Sequence, residues 1–283
     1  MSNAFDNRLV SLLVTVDNES LTYNQDFAIL ATGTKYTNGN FADFIIRIDN
    51  IDKVTRNFLI TKTSPWNPQR TNANVTLSVG RESYGTFQMA TGNAIACNPT
   101  QPPDVGLILK SQAFAASMGF VGAFSAPPLS PLKDICQQVA NNLGIPLDYQ
   151  ASQNPVIGNY HFTGAVLNQV KKLNELAPIN AFIDNSSNTL VILDNGVGRA
   201  TTLIQVNSDT GMIGVPEITE IGVRARMLIN NEVKVGDQIQ ITSTMNPAAN
   251  GIYYIAKLGF EVASRDTPFY WIIDARVLLG STL

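Results

Sequence analysis

The chain is poor in almost everything from which catalytic and nucleic-acid sites are built. One histidine, His161, serves 283 residues. A triad or a metal centre needs partners for that ring, and the surrounding Gly158-Asn159-Tyr160-His161-Phe162 supplies none, so a packed or surface histidine is expected. There are two cysteines, Cys97 and Cys136, without the Cys and His spacing of a metal site. Cys136 falls on the apolar stripe of a predicted helix, which argues for a buried free thiol. No G-x-S-x-G, H-E-x-x-H or P-loop occurs, and glycines such as Gly33, Gly39 and Gly80 are scattered. The acids that lie close in sequence, Glu217 with Glu220 and Asp49 with Asp52, are not placed across a cleft as a glycosidase requires, so surface acids are expected. No cofactor is implied.

Charge is also scarce. Only 14% of residues are charged, the net charge is −3, and no lysine- or arginine-rich block exists. A face for sequence-specific nucleic-acid binding is therefore not indicated. A surface covered mainly by Asn, Thr, Ser and Gln suits a protein largely covered by partners. No apolar run approaches the ~20 residues of a bilayer-spanning helix. The opening MSNAFDNRLV lacks a basic segment followed by an apolar core. Synthesis in a cytoplasm without stable membrane insertion is expected.

What the chain does have is hydrophobic alternation. The hydrophobic fraction is 45%, enough for one large or two modest domains in 283 residues. From Arg8 to about Ala115 the texture reads as almost wholly β. Val10, Leu12, Val14 and Val16 share a face, as do Phe44, Ile46 and Ile48, and Val75, Leu77 and Val79. Turn residues separate these runs, notably Thr37-Asn38-Gly39-Asn40 and Ser64-Pro65-Trp66-Asn67-Pro68. Many short strands favour a closed or nearly closed barrel. Residues 120–131, FVGAFSAPPLSP, read as a linker.

The texture then changes. Leu132, Ile135, Cys136, Val139 and Leu143 form one helical stripe, with Ser130 as N-cap, Pro131 at the first helical position and Gly144 just past the end. A second helix is expected over Ala165–Leu176, with Thr163 as N-cap and Val166, Leu167, Val170 and Leu173 on its apolar side. A hairpin follows, with strands at Ala181–Ile183 and Leu190–Leu193 joined through Asp184-Asn185-Ser186-Ser187-Asn188. The fold class is thus mainly β with a small α+β insert: an N-terminal β region at 1–119, a linker at 120–131, a helix-helix-hairpin insert at 132–203 and a C-terminal β region at 204–283.

The last region holds the most telling stretch, Gly211 to Ile241. Val223, Ala225, Met227 and Ile229 alternate with Arg224 and Arg226; Asn230-Asn231 and Val235-Gly236-Asp237 turn the chain; Ile239 and Ile241 resume the pattern. Trp271 alternates with Phe269 and Ile273 and reads as core. Three residues are candidates for subunit or partner contact. Trp66 is held between Pro65 and Pro68, either as an exposed anchor or folded back over a barrel mouth. Arg224 and Arg226 face outward, where they pair across an interface, line a channel or form a solvated strand face.

The run GMIGVP, then EIGVRARMLIN, then VKVGDQIQI resembles the C-terminal barrel of phage baseplate hub proteins. The segment TLSVGRESYGTFQMATGNAI, with Gly80-Arg81-Glu82 and Gly92-Asn93-Ala94, resembles a second feature of that family. The resemblance implies two tail-tube-like β-barrel regions flanking the helix-helix-hairpin insert. It also implies a homotrimer whose paired barrels make a pseudo-hexameric ring in the virion. Such a ring joins the tail tube to a central spike and surrounds the DNA-ejection channel. The partners implied are a tail tube or distal tube protein, the spike, the tape measure C-terminus and baseplate wedge proteins. No enzymatic activity is implied. A tail-associated cell-wall hydrolase and a glycan- or receptor-binding β-module are the alternatives. The first needs paired acids or a Cys-His pair; the second needs exposed aromatics clustered at one end.

Overall fold

The computed structural model describes residues 6–68, 70–102, 105–117, 120–165, 167–265 and 267–278. The first β region contains β1 (Arg8–Val16), β2 (Glu19–Tyr23), β3 (Ala28–Tyr36), β4 (Asp43–Asp49), helix α1 (Lys53–Thr63), β5 (Ala73–Arg81), β6 (Gly85–Pro99) and β7 (Gly106–Gln112). The middle contains β8 (Val121–Ser125), β9 (Ser130–Pro131), α2 (Leu132–Leu143), β10 (Leu147–Tyr149), β11 (Val156–Ile157), β12 (His161–Ala165), α3 (Asn168–Leu176), β13 (Ile179–Asp184) and β14 (Thr189–Asp194). The last region contains β15 (Ile204–Val206), β16 (Met212–Thr219), β17 (Gly222–Leu228), β18 (Gln238–Ile241), β19 (Gly251–Ala263) and β20 (Phe269–Val277).

The two β regions do not form separate barrels. They share one 13-stranded sheet in the order β16-β17-β20-β19-β3-β4-β7-β6-β5-β1-β2, with β18 on β19 and β15 on β18. Among the described residues the pairing closes no barrel, and β16 and β2 end the path. The reason lies in β19. Its 13 residues outrun β18, which pairs with only Gly251–Tyr254 of it. Lys257 to Ala263 then take β3 as partner. The change of partner is marked by a register shift between Ile255 and Lys257, a bulge of the kind that redirects strands. Thr37 accommodates it: its backbone N–H and its hydroxyl both donate to the Ala256 carbonyl, at 3.0 and 3.1 Å.

The alternation read from sequence supplies the core. Val10, Leu12, Val14, Ile46, Leu77, Ala225, Ile239 and Ile273 all lie in one buried cluster that runs through both β regions. Trp271 sits there fully buried, its indole N–H donating to the Asn230 carbonyl at 3.2 Å. A glycine is required at position 80. A Cβ there would lie 1.8 Å from the Gly85 carbonyl oxygen across the β5–β6 hairpin. Gly80→Ala is expected to lower stability by about 1–3 kcal/mol, because backbone on both sides must move. The midpoint of urea unfolding measures it, and an unchanged midpoint would show that the hairpin yields freely.

The first region is not wholly β. Lys53–Thr63 is a helix, capped by Asp52, whose side chain accepts from the Thr55 N–H at 2.9 Å. Only Leu59 and Thr63 are fully buried on it, so its apolar periodicity is weak. Residues 120–131 are not a free linker either. Val121–Ser125 pairs with β12 as a two-stranded ribbon, and Ser130–Pro131 pairs with β11. Phe124 and Phe162 of the ribbon pack on the insert.

In the insert, α2 falls where its stripe predicts, and Gly144 closes it in the left-handed conformation at φ 68°. Ser130 is not the cap: its hydroxyl donates to the Pro127 carbonyl, and Pro131 holds the cap position. The second helix starts later than expected, at Asn168, because Thr163 is committed to β12. Val166 lies outside the described residues. The hairpin β13–β14 is buried on both faces. Phe182, Val191 and Leu193 enter the core of the large sheet, while Ala181, Ile183, Leu190 and Ile192 pack under the helices. Double burial explains its nearly continuous apolar sequence.

Candidate assembly surfaces

The outer face of the large sheet carries Arg224 and Arg226. Strand alternation aims both away from a core that contains Val223, Ala225 and Met227. Arg224 stands opposite Glu217 on β16 and Asp274 on β20. Its Nε donates to Asp274 Oδ1 at 2.5 Å, and Lys257 Nζ approaches Asp274 Oδ2 at 3.7 Å. The guanidinium of Arg226 lies 5.6 Å from the centroid of the Tyr270 ring, and the Tyr270 hydroxyl donates to Glu261 Oε2 at 2.5 Å. That hydrogen bond, more than burial, raises the tyrosine pKa. Both arginines are thus engaged within their own chain. A shallow depression of about 390 Å³ opens beside them, where Gly259 offers no side chain.

Trp66 is 91% exposed. It does not fold back over the sheet. The loop carrying it is pinned: the Asn67 side chain donates to the Thr61 carbonyl at 2.9 Å, and the Asn67 N–H donates to the Ser64 carbonyl at 3.1 Å. Pro65 and Pro68 add stiffness. The indole is therefore held in solvent at little further cost in entropy, as an anchor residue requires.

His161 is exposed on β12, its ring nitrogens within 2.7 Å of Ser125 Oγ and 3.0 Å of Thr163 Oγ1. Cys97 and Cys136 are buried and free, and burial pushes both thiols up to about 12. On the order of one in ten thousand is ionised at pH 8. Their reaction with a thiol reagent is expected to follow unfolding. Absorbance traces with and without urea test this, and prompt release from the native protein would contradict it. Among the described residues no group of three or more His, Cys, Asp and Glu side chains could hold a metal. No helix among them is long and apolar enough to cross a membrane.

One cluster escapes a reading of the sequence alone. Lys35, on β3, points inward and is buried. Its Nζ donates to Ser186 Oγ at 2.6 Å and lies 5.5 Å from the Trp271 ring centroid. Asp184, at the end of β13, is buried and bonded to Arg199 Nη2 at 2.9 Å. Gln88, on β6, donates to the Ser186 carbonyl at 3.0 Å. These bonds tie the hairpin of the insert to the large sheet and so fix the two against each other. Burial pushes the Lys35 ammonium down to about 8, although Asp184 opposes the shift. Burial raises the Asp184 carboxyl, but Arg199 and Lys35 outweigh it and hold the group below its ordinary range. A signal for Lys35 is nonetheless present, since it continues the inward row Ile29, Ala31, Gly33.

Comparison with known proteins gives this architecture its context. No curated protein matches the sequence. A tail protein of Neisseria meningitidis MC58 shares the fold with a TM-score of 0.62 at 9% identity, covering 94% of this chain and 96% of that one. A 43 kDa tail protein of prophage MuSo2 from Shewanella oneidensis gives 0.65 at 10% identity, covering 94% and 96%. A type VI secretion system component of E. coli, described as structurally similar to the T4 bacteriophage tail proteins gp27 and gp5, gives 0.58 at 9% identity, covering 93% and 76%. At such identities the likeness is one of fold. The sequence itself goes further, because the family described as Baseplate hub gp41 matches residues 9–275. The chain belongs to the Baseplate hub gp41 family.

Proposed function

We propose that this protein is the structural hub of a phage tail baseplate, three copies of which close into a ring that joins the tail tube to a central spike. The ring surrounds the channel through which DNA leaves, and the fold acts through shape, without catalysis. The observation that carries the reading is the family match over residues 9–275. A low-charge surface and an unclosed sheet support it. Trp66, Arg224 and Arg226 are the residues we assign to contacts with neighbours. The test is the mass of the purified protein by light scattering, with negative-stain images of the same sample. A three-fold ring with a central hole is expected. A protein that stays monomeric even with its spike and tube would end the reading. Clearing of peptidoglycan by the purified protein would overturn the purely structural assignment.

A further inference from the structure

The sequence holds three Asn-Gly pairs, Asn38-Gly39, Asn195-Gly196 and Asn250-Gly251. An asparagine before glycine can react with its own backbone. The nitrogen of the following residue attacks the side-chain amide carbon, and glycine has no Cβ to hinder the approach. The attack depends on local geometry and on access for solvent base, and the fold treats the three pairs differently.

Asn38 is exposed, in the loop between β3 and β4. The Asn40 N–H donates to its Oδ1 at 3.1 Å. That bond makes an Asx turn, which folds the side chain back along the two residues that follow and so over the Gly39 nitrogen. It has a second effect. Attack turns Oδ1 into an oxyanion, and a backbone N–H already aimed at that oxygen stabilises the charge as it develops. The nucleophile is free as well: among the described residues the Gly39 N–H has no acceptor. Asn40 lines an open depression of about 420 Å³ together with Tyr36, Asp43 and Lys171, so base and water reach the loop.

The other two pairs are held away from reaction. Gly196 is buried, in a turn closed by the Val197 N–H on the Asp194 carbonyl at 3.2 Å. Asn250 Oδ1 accepts from the Ser243 N–H at 2.6 Å, which draws the side chain toward Ser243. Gly251 is already paired with Ile241 in the ladder of β18 and β19.

We infer that Asn38 is a site of spontaneous deamidation in the folded protein. Solvent base removes the Gly39 amide proton, and the nitrogen bonds to Asn38 Cγ. The side-chain Cγ–N bond then breaks, and ammonia leaves with a proton taken from water. The cyclic imide takes up one water, and opening either of its C–N bonds leaves aspartate or isoaspartate at position 38. The place of the loop gives the product its effect. Thr37 bonds to Ala256 at the β19 bulge, and a Cβ on Gly39 would come within 2.6 Å of Lys171 Cγ on α3. A new carboxylate, and in the isoaspartyl form an extra backbone carbon, therefore enters where the large sheet meets the insert.

The test is peptide mapping by mass spectrometry of the full chain aged in mildly alkaline buffer, once folded and once in urea. In the folded protein Asn38 is expected to convert about tenfold faster than Asn195 and Asn250, or more. In urea the three rates should converge, since each site then has only its Asn-Gly pair. Ammonia should appear mole for mole with the acid formed. Asn38→Gln, at an exposed loop position, is expected to abolish acid formation in this peptide and to leave the other two rates unchanged. Equal rates at the three sites of the folded protein would overturn the inference. So would a lead for Asn38 that persists undiminished in urea, because the neighbouring sequence and not the fold would then set it.

Discussion

Asp184→Asn is expected to cost about 3–5 kcal/mol of folding stability. Asp184 is 1% exposed and is the acid bonded to Arg199, at 2.9 Å, while Lys35 lies close enough to influence it. Asparagine keeps the shape and retains an acceptor for the Ser186 N–H, which donates to Asp184 Oδ1 at 3.0 Å. What it removes is the anion. Two buried cations then lose the anion they share, Arg199 keeping only its weaker interaction with Asp237, and the price is their desolvation. The pH dependence distinguishes this cause from lost packing. The folded Asp184 carboxyl lies below its unfolded value, so its contribution is present above the ordinary carboxylate range and fades as pH falls through the folded value. The gap between wild type and variant should therefore be full near neutrality and narrow in acid. Urea unfolding across that range measures it. A loss below about 1 kcal/mol at neutral pH would mean that water reaches the cluster and screens it.

How much of this is legible in the sequence depends on the range over which the cause acts. Strand faces set by alternation can be read from a few neighbours, and Val223, Ala225 and Met227 are inward while Arg224 and Arg226 are outward. Helix α2 carries its own stripe and its own stop at Gly144. Helix α1 goes unseen because tertiary packing, not a broad apolar stripe, holds it; the local signals are Asp52 at its start and Ser64-Pro65 at its end. The pairing of β19 with β3 joins residues more than 200 apart, Lys257 with Tyr36 among them, and no local pattern encodes it. The same holds for the candidate contacts. Proline on both sides gives Trp66 a stiff loop, but only the fold shows the indole in solvent. The partner of Arg224 is Asp274, fifty residues away across β17 and β20.

Lys35→Met should stabilise the protein and flatten its response to alkali. The unfolded lysine titrates near 10.5 and the folded one at about 8. Between those values the unfolded chain binds a proton that the folded chain does not, so the lysine makes stability rise with pH across the interval. Below pH 8 the folded protein holds a buried ammonium at a cost of about 3 kcal/mol, since each tenfold loss of proton affinity on folding corresponds to about 1.4 kcal/mol. Methionine has comparable length, fills the same space and keeps contact with Trp271 through its sulfur. Arg199 remains to neutralise Asp184. The variant loses the hydrogen bond from Nζ to Ser186 Oγ, worth about 1 kcal/mol, so a net gain of about 2 kcal/mol near pH 7 is expected. That gain should vanish by pH 10.5, where wild-type Lys35 is neutral when folded. Parallel urea titrations of the two proteins from pH 7 to about 10.5 isolate the contribution of Lys35, because every other titrating group is common to both. A variant less stable than wild type at pH 7 would show that the ammonium does positive structural work. The cluster would then be a net bond between hairpin and sheet, not a charge retained at the expense of stability.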